Sequence, residues 1–318
     1  MNIEDEVLHI LKENSNVLNE ASTSSDIATT QDFVGKMIDE KYNNSLAYQI
    51  CEVQALKGSW GTVYASKRDF TTNDFEIAKK DIYTKSYTVK TGYTQEVWQD
   101  MNKMFGKTAL IQSSNILSGL SAMNENYTLI EVLDVNSYTK PLLQVNVNNT
   151  AWITSQISQR VAESVIEMNK ESFKTLDSFC VLPAQWASYF LGTASYVKTD
   201  GDSDGKDSTL FVGRYGRTDF FVNPFRNESR QFFQDFNEDY TIGDTGEEYC
   251  YVGLKSQVSG ESSLVFAPYI YEAKTVVDPD TLNNNLFVYN RYGLVTSPLH
   301  EPIQGKSMLH KFIIEEAP

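Results

Sequence analysis

Base chemistry near neutral pH would have to rest on three histidines in this chain, His9, His300 and His310, because imidazole is the side chain that ordinarily titrates in that range. All three lie near the ends, and residues 10–299 contain none. A Ser-His-Asp or Cys-His arrangement would need a terminal histidine folded back into the body. Paired carboxylates such as Glu247 with Glu248, or Asp278 with Asp280, have the right chemistry for acid and base work. Their separation in space decides the matter, and in so acidic a chain solvated surface is the plainer reading.

Metal chemistry fares no better. Cys51, Cys180 and Cys250 are widely spaced with no CxxC pair, which suggests neither a disulfide framework nor a zinc site. Asp200, Asp202 and Asp204, alternating with Gly201 and Ser203 before Gly205, resemble the first half of a calcium loop. The second half fails, since Phe211 stands where the bidentate Glu is needed and no clear helix precedes. The turn Gly58-Ser59-Trp60-Gly61 lacks the Lys and Ser/Thr of a phosphate loop, and Trp60 would obstruct backbone approach to a phosphate. Phe220, Phe221, Phe225, Phe232, Phe233 and Phe236 lie near Arg214, Arg217, Arg226 and Arg230 and could stack bases, but core or interface packing is the stronger reading. The expectation is a protein with no catalytic residue, no cofactor and no metal.

The elements around these residues point to an α+β chain. Residues 2–20 place Ile3, Val7, Leu8, Ile10, Leu11, Val17 and Leu18 among acidic and amide residues with partial helical period, and the small polar stretch 21–32 then reads as an extended arm. Short β-prone pieces follow, Tyr48-Gln49-Ile50-Cys51 and Thr62-Val63-Tyr64-Ala65, divided by the 58–61 turn. Thr94 can cap a helix carrying Val97, Trp98, Met101, Met104 and Phe105, and helical period resumes after Gly106 through Leu110, Leu117 and Leu120. Ile157, Val161, Val165 and Met168 mark another helix, with Thr154 and Ser155 as caps. Phe179-Cys180-Val181-Leu182 reads as a strand, and Pro183 opens a short helix through Leu191 that ends at Gly192. From Thr209 onward, strands rich in Val, Phe and Tyr are expected, with turns at Gly213, Gly216, Gly253 and Gly260.

Bulk properties narrow the function. With 318 residues the chain has material for roughly two folded units. A net charge of -15 argues against holding nucleic acid by neutralising phosphates. No apolar run approaches the roughly 20 residues of a membrane span, and the start MNIEDEVLHI lacks a basic signal-peptide region, so no membrane partner and a cytosolic origin are expected.

Several segments, in order, resemble the major capsid proteins of T-even-type and related tailed bacteriophages. They are Val53 to Ala65, Tyr93 to Met101 with Phe105-Gly106, Asn115 to Ser118, Phe179 to Pro183, Phe211-Val212-Gly213, Asp219 to Phe225, Tyr251 to Lys255, Leu264 to Ile270 and Asn290 to Pro298. The resemblance implies an HK97-like fold and a shell-building role without enzymatic activity. It implies an N-terminal arm at 1–47, an E-loop at 48–92 with Gly58, Trp60 and Gly61 at its intersubunit base, a peripheral domain with a spine helix at 93–175, an axial domain at 176–285, and a return to the peripheral domain at 286–318. The partners implied are further copies in hexamers and pentamers, with portal, scaffold and decoration proteins. DNA is enclosed without specific binding, in a head assembled in the bacterial cytoplasm. Related phages trim the N-terminus after Glu in an Ile/Leu-x-Glu context, and Leu18-Asn19-Glu20 is the favoured site, ahead of Glu13 and Glu40. A nanocompartment shell of the same fold, or a carbohydrate-binding β-module resting on the Tyr and Trp content, are the competing readings.

Overall fold

The computed structural model describes residues 41–42, 44–68, 75–94, 96, 100, 103, 109–147, 149–169, 177–191, 210–225, 248–256, 261–277, 284–303 and 305–317. His9, Glu20, Asp200, Asp202, Asp204, Glu247, Asp278 and Asp280 lie outside these residues, as do the apolar positions expected on the helix after Thr94.

The central element is helix α2, Ala109–Asn136, about 42 Å long at 1.5 Å per residue. From Glu125 to Ile130 every residue is buried, so all faces of the helix are covered over that stretch. On one side lies a four-stranded sheet in the order β1 (Glu52–Val53), β11 (Leu264–Val277), β12 (Asn284–Thr296), β4 (Lys85–Tyr93). On the other lies a seven-stranded sheet. Its path is β5 (Tyr138–Thr139), β13 (Leu309–Glu316), β10 (Tyr249–Leu254), β7 (Ser178–Leu182), β9 (Thr218–Val222), β8 (Phe211–Tyr215), with β6 (Leu143–Val145) also pairing β13. One core joins all three layers, with Leu129 and Leu133 of α2 among Tyr271, Val288 and Tyr292 of the first sheet and Phe179, Val181 and Tyr251 of the second.

The far face of the seven-stranded sheet packs on α3 (Thr150–Asn169) and α4 (Ala184–Leu191). Alternation along β7 sends Phe179 and Val181 toward α2 and Cys180 and Leu182 toward α3 and α4. All five residues of β7 are buried, as a central strand covered on both faces requires. The expected period of Ile157, Val161, Val165 and Met168 is the buried stripe of α3, and Phe190 of α4 stacks on Phe220 at 4.8 Å.

Four local expectations change. The segment at Tyr48 is helical, α1 (Leu46–Ile50), because it is wholly buried and the Leu46 N–H is satisfied by Asn126 Oδ1 of α2 at 2.7 Å. Helix α3 starts earlier than the Thr154 and Ser155 caps: Asn149 Oδ1 accepts the Ala151 N–H at 3.0 Å, while Thr154 Oγ1 donates back to the Ala151 carbonyl at 3.1 Å. Gly253 lies within β10, where a Cβ would meet the Phe179 ring at 2.4 Å, so it serves strand packing and not a turn. Gly213 likewise lies inside β8, at the register shift between Phe211 and Gly213.

The layers also cut across the expected domain spans. β4 pairs with β12 and is part of the four-stranded sheet, although it falls within 48–92. β11, within 176–285, pairs with β1 and β12, whereas β13, at the end of 286–318, completes the seven-stranded sheet, which also takes β5 and β6. Pairing between segments so far apart leaves no mark on local composition.

Gly293 is enclosed: a Cβ there would stand 2.7 Å from Ile82 Cγ1 and 2.9 Å from the Tyr83 carbonyl oxygen. Gly293→Val should therefore lower stability by about 1–3 kcal/mol through overpacking against a backbone group. A urea midpoint unchanged from that of the parent protein would show that the strands can separate freely here.

Candidate assembly surfaces

Between β1 and β4 the chain leaves the body as a two-stranded ribbon, β2 (Trp60–Arg68) with β3 (Phe75–Tyr83). Its root is fixed from both sides. Gln54 and Leu56 donate backbone N–H groups to the Phe266 and Pro268 carbonyls, each at 2.9 Å, and Thr84 closes the neck by donating its N–H to the Ser59 carbonyl at 3.0 Å. The register pairs Trp60 with Tyr83 and runs through nine pairs to Arg68 with Phe75.

Period-two alternation then gives the ribbon two unlike faces. One carries Val63, Ala65 and Ile82, with Val63 and Ile82 packed against Val265 and Ala267 of β11 alongside Leu56 and Val295. Ile82 fills the side-chain space of Gly293, and Leu56 fills that of Gly61, where a Cβ would stand 2.5 Å from Leu56 Cδ2. The other face carries Trp60, Tyr64, Ile77 and Tyr83, exposed to 63%, 59%, 68% and 68%. Large apolar residues gathered at that exposure on one ribbon face have the character of a contact surface. Gly58 and Ser59 form the turn leading into it, and Gly61 sits at its root on the body side. The three expected E-loop residues thus share this neck, while the exposed apolar set extends beyond them to Tyr64, Ile77 and Tyr83.

A second structural centre lies where residues 41–50 meet α2. Lys41 Nζ sits 2.5 Å from Glu125 Oε1, both side chains nearly sealed from solvent, and lies 4.4 Å from the Tyr271 ring centroid. Ser45 Oγ donates to Glu125 Oε2 at 2.8 Å, and Asn290 Nδ2 of β12 donates to Oε1 at 2.9 Å. Asn126 Nδ2 reaches the Asn44 carbonyl at 3.1 Å. Burial pulls the Lys41 ammonium below its ordinary pKa, opposed by the charge of Glu125. Sequence reading missed this network. Its one visible signal is Glu125 within the otherwise apolar and amide run Ala122-Met123-Asn124-Glu125-Asn126-Tyr127 of a helix that must be covered.

The chemistry-bearing residues are dispersed. Cys51, Cys180 and Cys250 are buried free thiols in the cores, all pushed up in pKa by burial. Glu248 is partly buried at the edge of β10, and Arg214 forms a bidentate pair with Asp219 at 2.5 and 3.0 Å across the β8–β9 ladder. Phe220, Phe221 and Phe225 are buried and not arrayed as a stacking platform. Among the described residues no group of three or more His, Cys, Asp or Glu converges as metal ligands, and no helix is long and apolar enough to cross a membrane.

Glu125→Ala should cost about 3–5 kcal/mol in urea unfolding, because it strands the Lys41 charge inside the core. The double change Lys41→Met with Glu125→Leu should recover most of that loss. A single variant within ~1 kcal/mol of the parent would mean that the pair is solvated.

A protein-family model described as "Gp23: Major capsid protein Gp23" matches residues 9–312. No curated protein matches the chain at a meaningful level. Among solved structures, the virus-like particle from Pyrococcus furiosus is 9% identical, with 89% of this chain and 99% of that chain covered and a TM-score of 0.54. The capsid of Ralstonia phage GP4 is 8% identical, covering 85% and 88% with a TM-score of 0.52. A structure from Mycobacterium phage Bobi is 10% identical, covering 86% and 91% with a TM-score of 0.50. At such identities these likenesses speak for the fold alone.

Proposed function

Because the chain belongs to the Gp23 major capsid protein family, the non-enzymatic subunits that form the phage head shell, and has the HK97-like fold, we propose that its β2–β3 ribbon is the E-loop that clasps an adjacent copy in that shell. The observation that carries this is the ribbon's division into one face packed on its own body and another exposing Trp60, Tyr64, Ile77 and Tyr83. An apolar face of that kind gains its burial only on assembly, where association stabilises the folded subunit by mass action.

In this reading the four-stranded sheet with α2 as spine helix is the peripheral unit, and the seven-stranded sheet with α3 and α4 is the axial unit. The loop proper runs from about residue 54 to 84, with Gly58, Trp60 and Gly61 at its neck. The copies associate as hexamers and pentamers, joined by portal, scaffold and decoration proteins. The net charge of -15 keeps the wall from gripping the enclosed DNA. The family match over residues 9–312 favours a phage head over a nanocompartment shell.

Replacing Trp60 and Tyr64 together by Ser should leave the subunit's unfolding free energy in urea within ~0.5 kcal/mol of the parent while abolishing regular shells in electron micrographs. Normal shells from that double variant would remove the ribbon's outer face from the contact. Maturation by cleavage after Glu20 is tested separately by intact mass. Virion protein beginning at Ala21 supports it, and an uncut chain ends it.

A further inference from the structure

Three chain crossings connect the two sheets: α2 to β5 at Ser137, β10 to β11 through 255–263, and β12 to β13 through 297–308. They meet in one belt of hydrogen bonds. Ser263 Oγ accepts the Leu254 N–H and donates to the Met308 carbonyl, each at 2.6 Å, and the Ser263 carbonyl accepts the Ser297 N–H at 2.9 Å. Met308 in turn donates its N–H to His300 Nδ1 at 3.1 Å. The opposite ring nitrogen, Nε2, donates to the carbonyl of Asn136, the last residue of α2, at 3.0 Å. The His300 ring thus ties two crossings together, and the Met308 peptide ties them to the third.

We propose that His300 is an acid-operated lock on the junction between the two sheets, closed while the ring is neutral and released when it gains a second proton. The geometry dictates the sense. Nδ1 is held as an acceptor by a backbone N–H, so a proton there would set N–H against N–H inside a site that is 8% exposed. The groups facing the ring do not offset this. Lys80 of β3, which donates to Thr296 Oγ1 at 2.5 Å, opposes a second positive charge. Glu301, whose charge favours the protonated ring, is more than half exposed and pairs with Lys306 at 3.2 Å. From β13 comes His310, which is 1% exposed with Nδ1 unbonded and its ring edge-on to Tyr138. Around His310 stand Lys140, paired with Glu167, and Arg160. Burial is the largest cause that brings both histidines down to about 4.

The sign follows from linkage. A folded-state pKa of about 4 against an ordinary 6.5 means that the lock is at full strength above pH 6.5 and weakens as pH falls toward 4. Full protonation of one ring shifts the closed-to-open ratio by roughly 300-fold.

Hydrogen exchange of the full-length protein, read as protection factors between pH 7 and 4, tests this directly. Protection at residues 137–140, 261–263 and 297–308 should drop across that range while β7, β10 and β12 stay protected. In His300→Gln, whose amide can donate to Asn136 and accept from Met308 without titrating, the drop should be at least ten-fold smaller. Three results would overturn the lock: unchanged protection in the parent, an equal drop in the Gln variant, or simultaneous loss across both sheets. Should the Gln variant fail to fold, proton NMR titration of His300 in the parent decides. A midpoint near 4 that tracks the loss of protection supports the lock, and one near 6.5 with the crossings unmoved refutes it.

Discussion

A stretch of helix covered on every side cannot tolerate an unpaired charge, and α2 carries a carboxylate in such a stretch. Glu125 sits in the run that is buried without interruption, where a lone carboxylate would cost several kcal/mol. Three strangers in sequence resolve it: Lys41 and Ser45 from the segment before α1, and Asn290 from β12. The covering of α2 by the first sheet and the docking of residues 41–50 are thereby one event. This buried pair does not make the protein more stable than an apolar pair would; it fixes where the incoming chain must lie.

Among the described residues the body keeps large apolar side chains exposed at scattered places, Val135, Trp152 and Leu191 among them, whereas the ribbon gathers four on one face. A two-stranded ribbon is marginal alone, and β2 with β3 is anchored by Ile82 over Gly293 and by Leu56 over Gly61. Since alternation permits one face only to be satisfied by the body, the large residues at Trp60, Tyr64, Ile77 and Tyr83 face outward by register and not by accident of side-chain choice. A one-residue slip of β2 would turn Trp60 inward and Val63 outward, losing the packing of Val63 on Val265 and Ala267.

What was legible in the sequence were the features with a strong local period. The stripe from Ile157 to Met168, the strand at Phe179 followed by the Pro183 helix start, and the long helix around Leu117 follow from spacing alone. The fold name came from the order of motifs, not from physics. What local reading missed was decided at long range. Tyr48 is helical because Asn126 caps its first turn, Gly253 is a strand residue because Phe179 occupies its side-chain space, and β13 joins β10 across more than fifty residues. The proposed assembly face was only partly legible: the expected Gly58, Trp60 and Gly61 lie at the ribbon's neck, but only the register could show that Tyr64, Ile77 and Tyr83 share the side of Trp60.

The junction between the sheets shows why small polar side chains are placed where apolar ones would seem to serve. At the edges of two cores the backbone turns from one ladder to another and leaves N–H and C=O groups with no strand to pair with, each costly if buried unmet. A hydroxyl both accepts and donates, so Ser263 satisfies the Leu254 N–H and the Met308 carbonyl at once, and Ser262 does the same for the Ser256 N–H and carbonyl. A neutral imidazole spans a longer gap with the same duality, which is what the distance from Met308 to the end of α2 requires at His300. Packing alone would hold the layers together, but it is non-directional. Bonds of fixed direction at all three crossings are what set the angle between the two sheets.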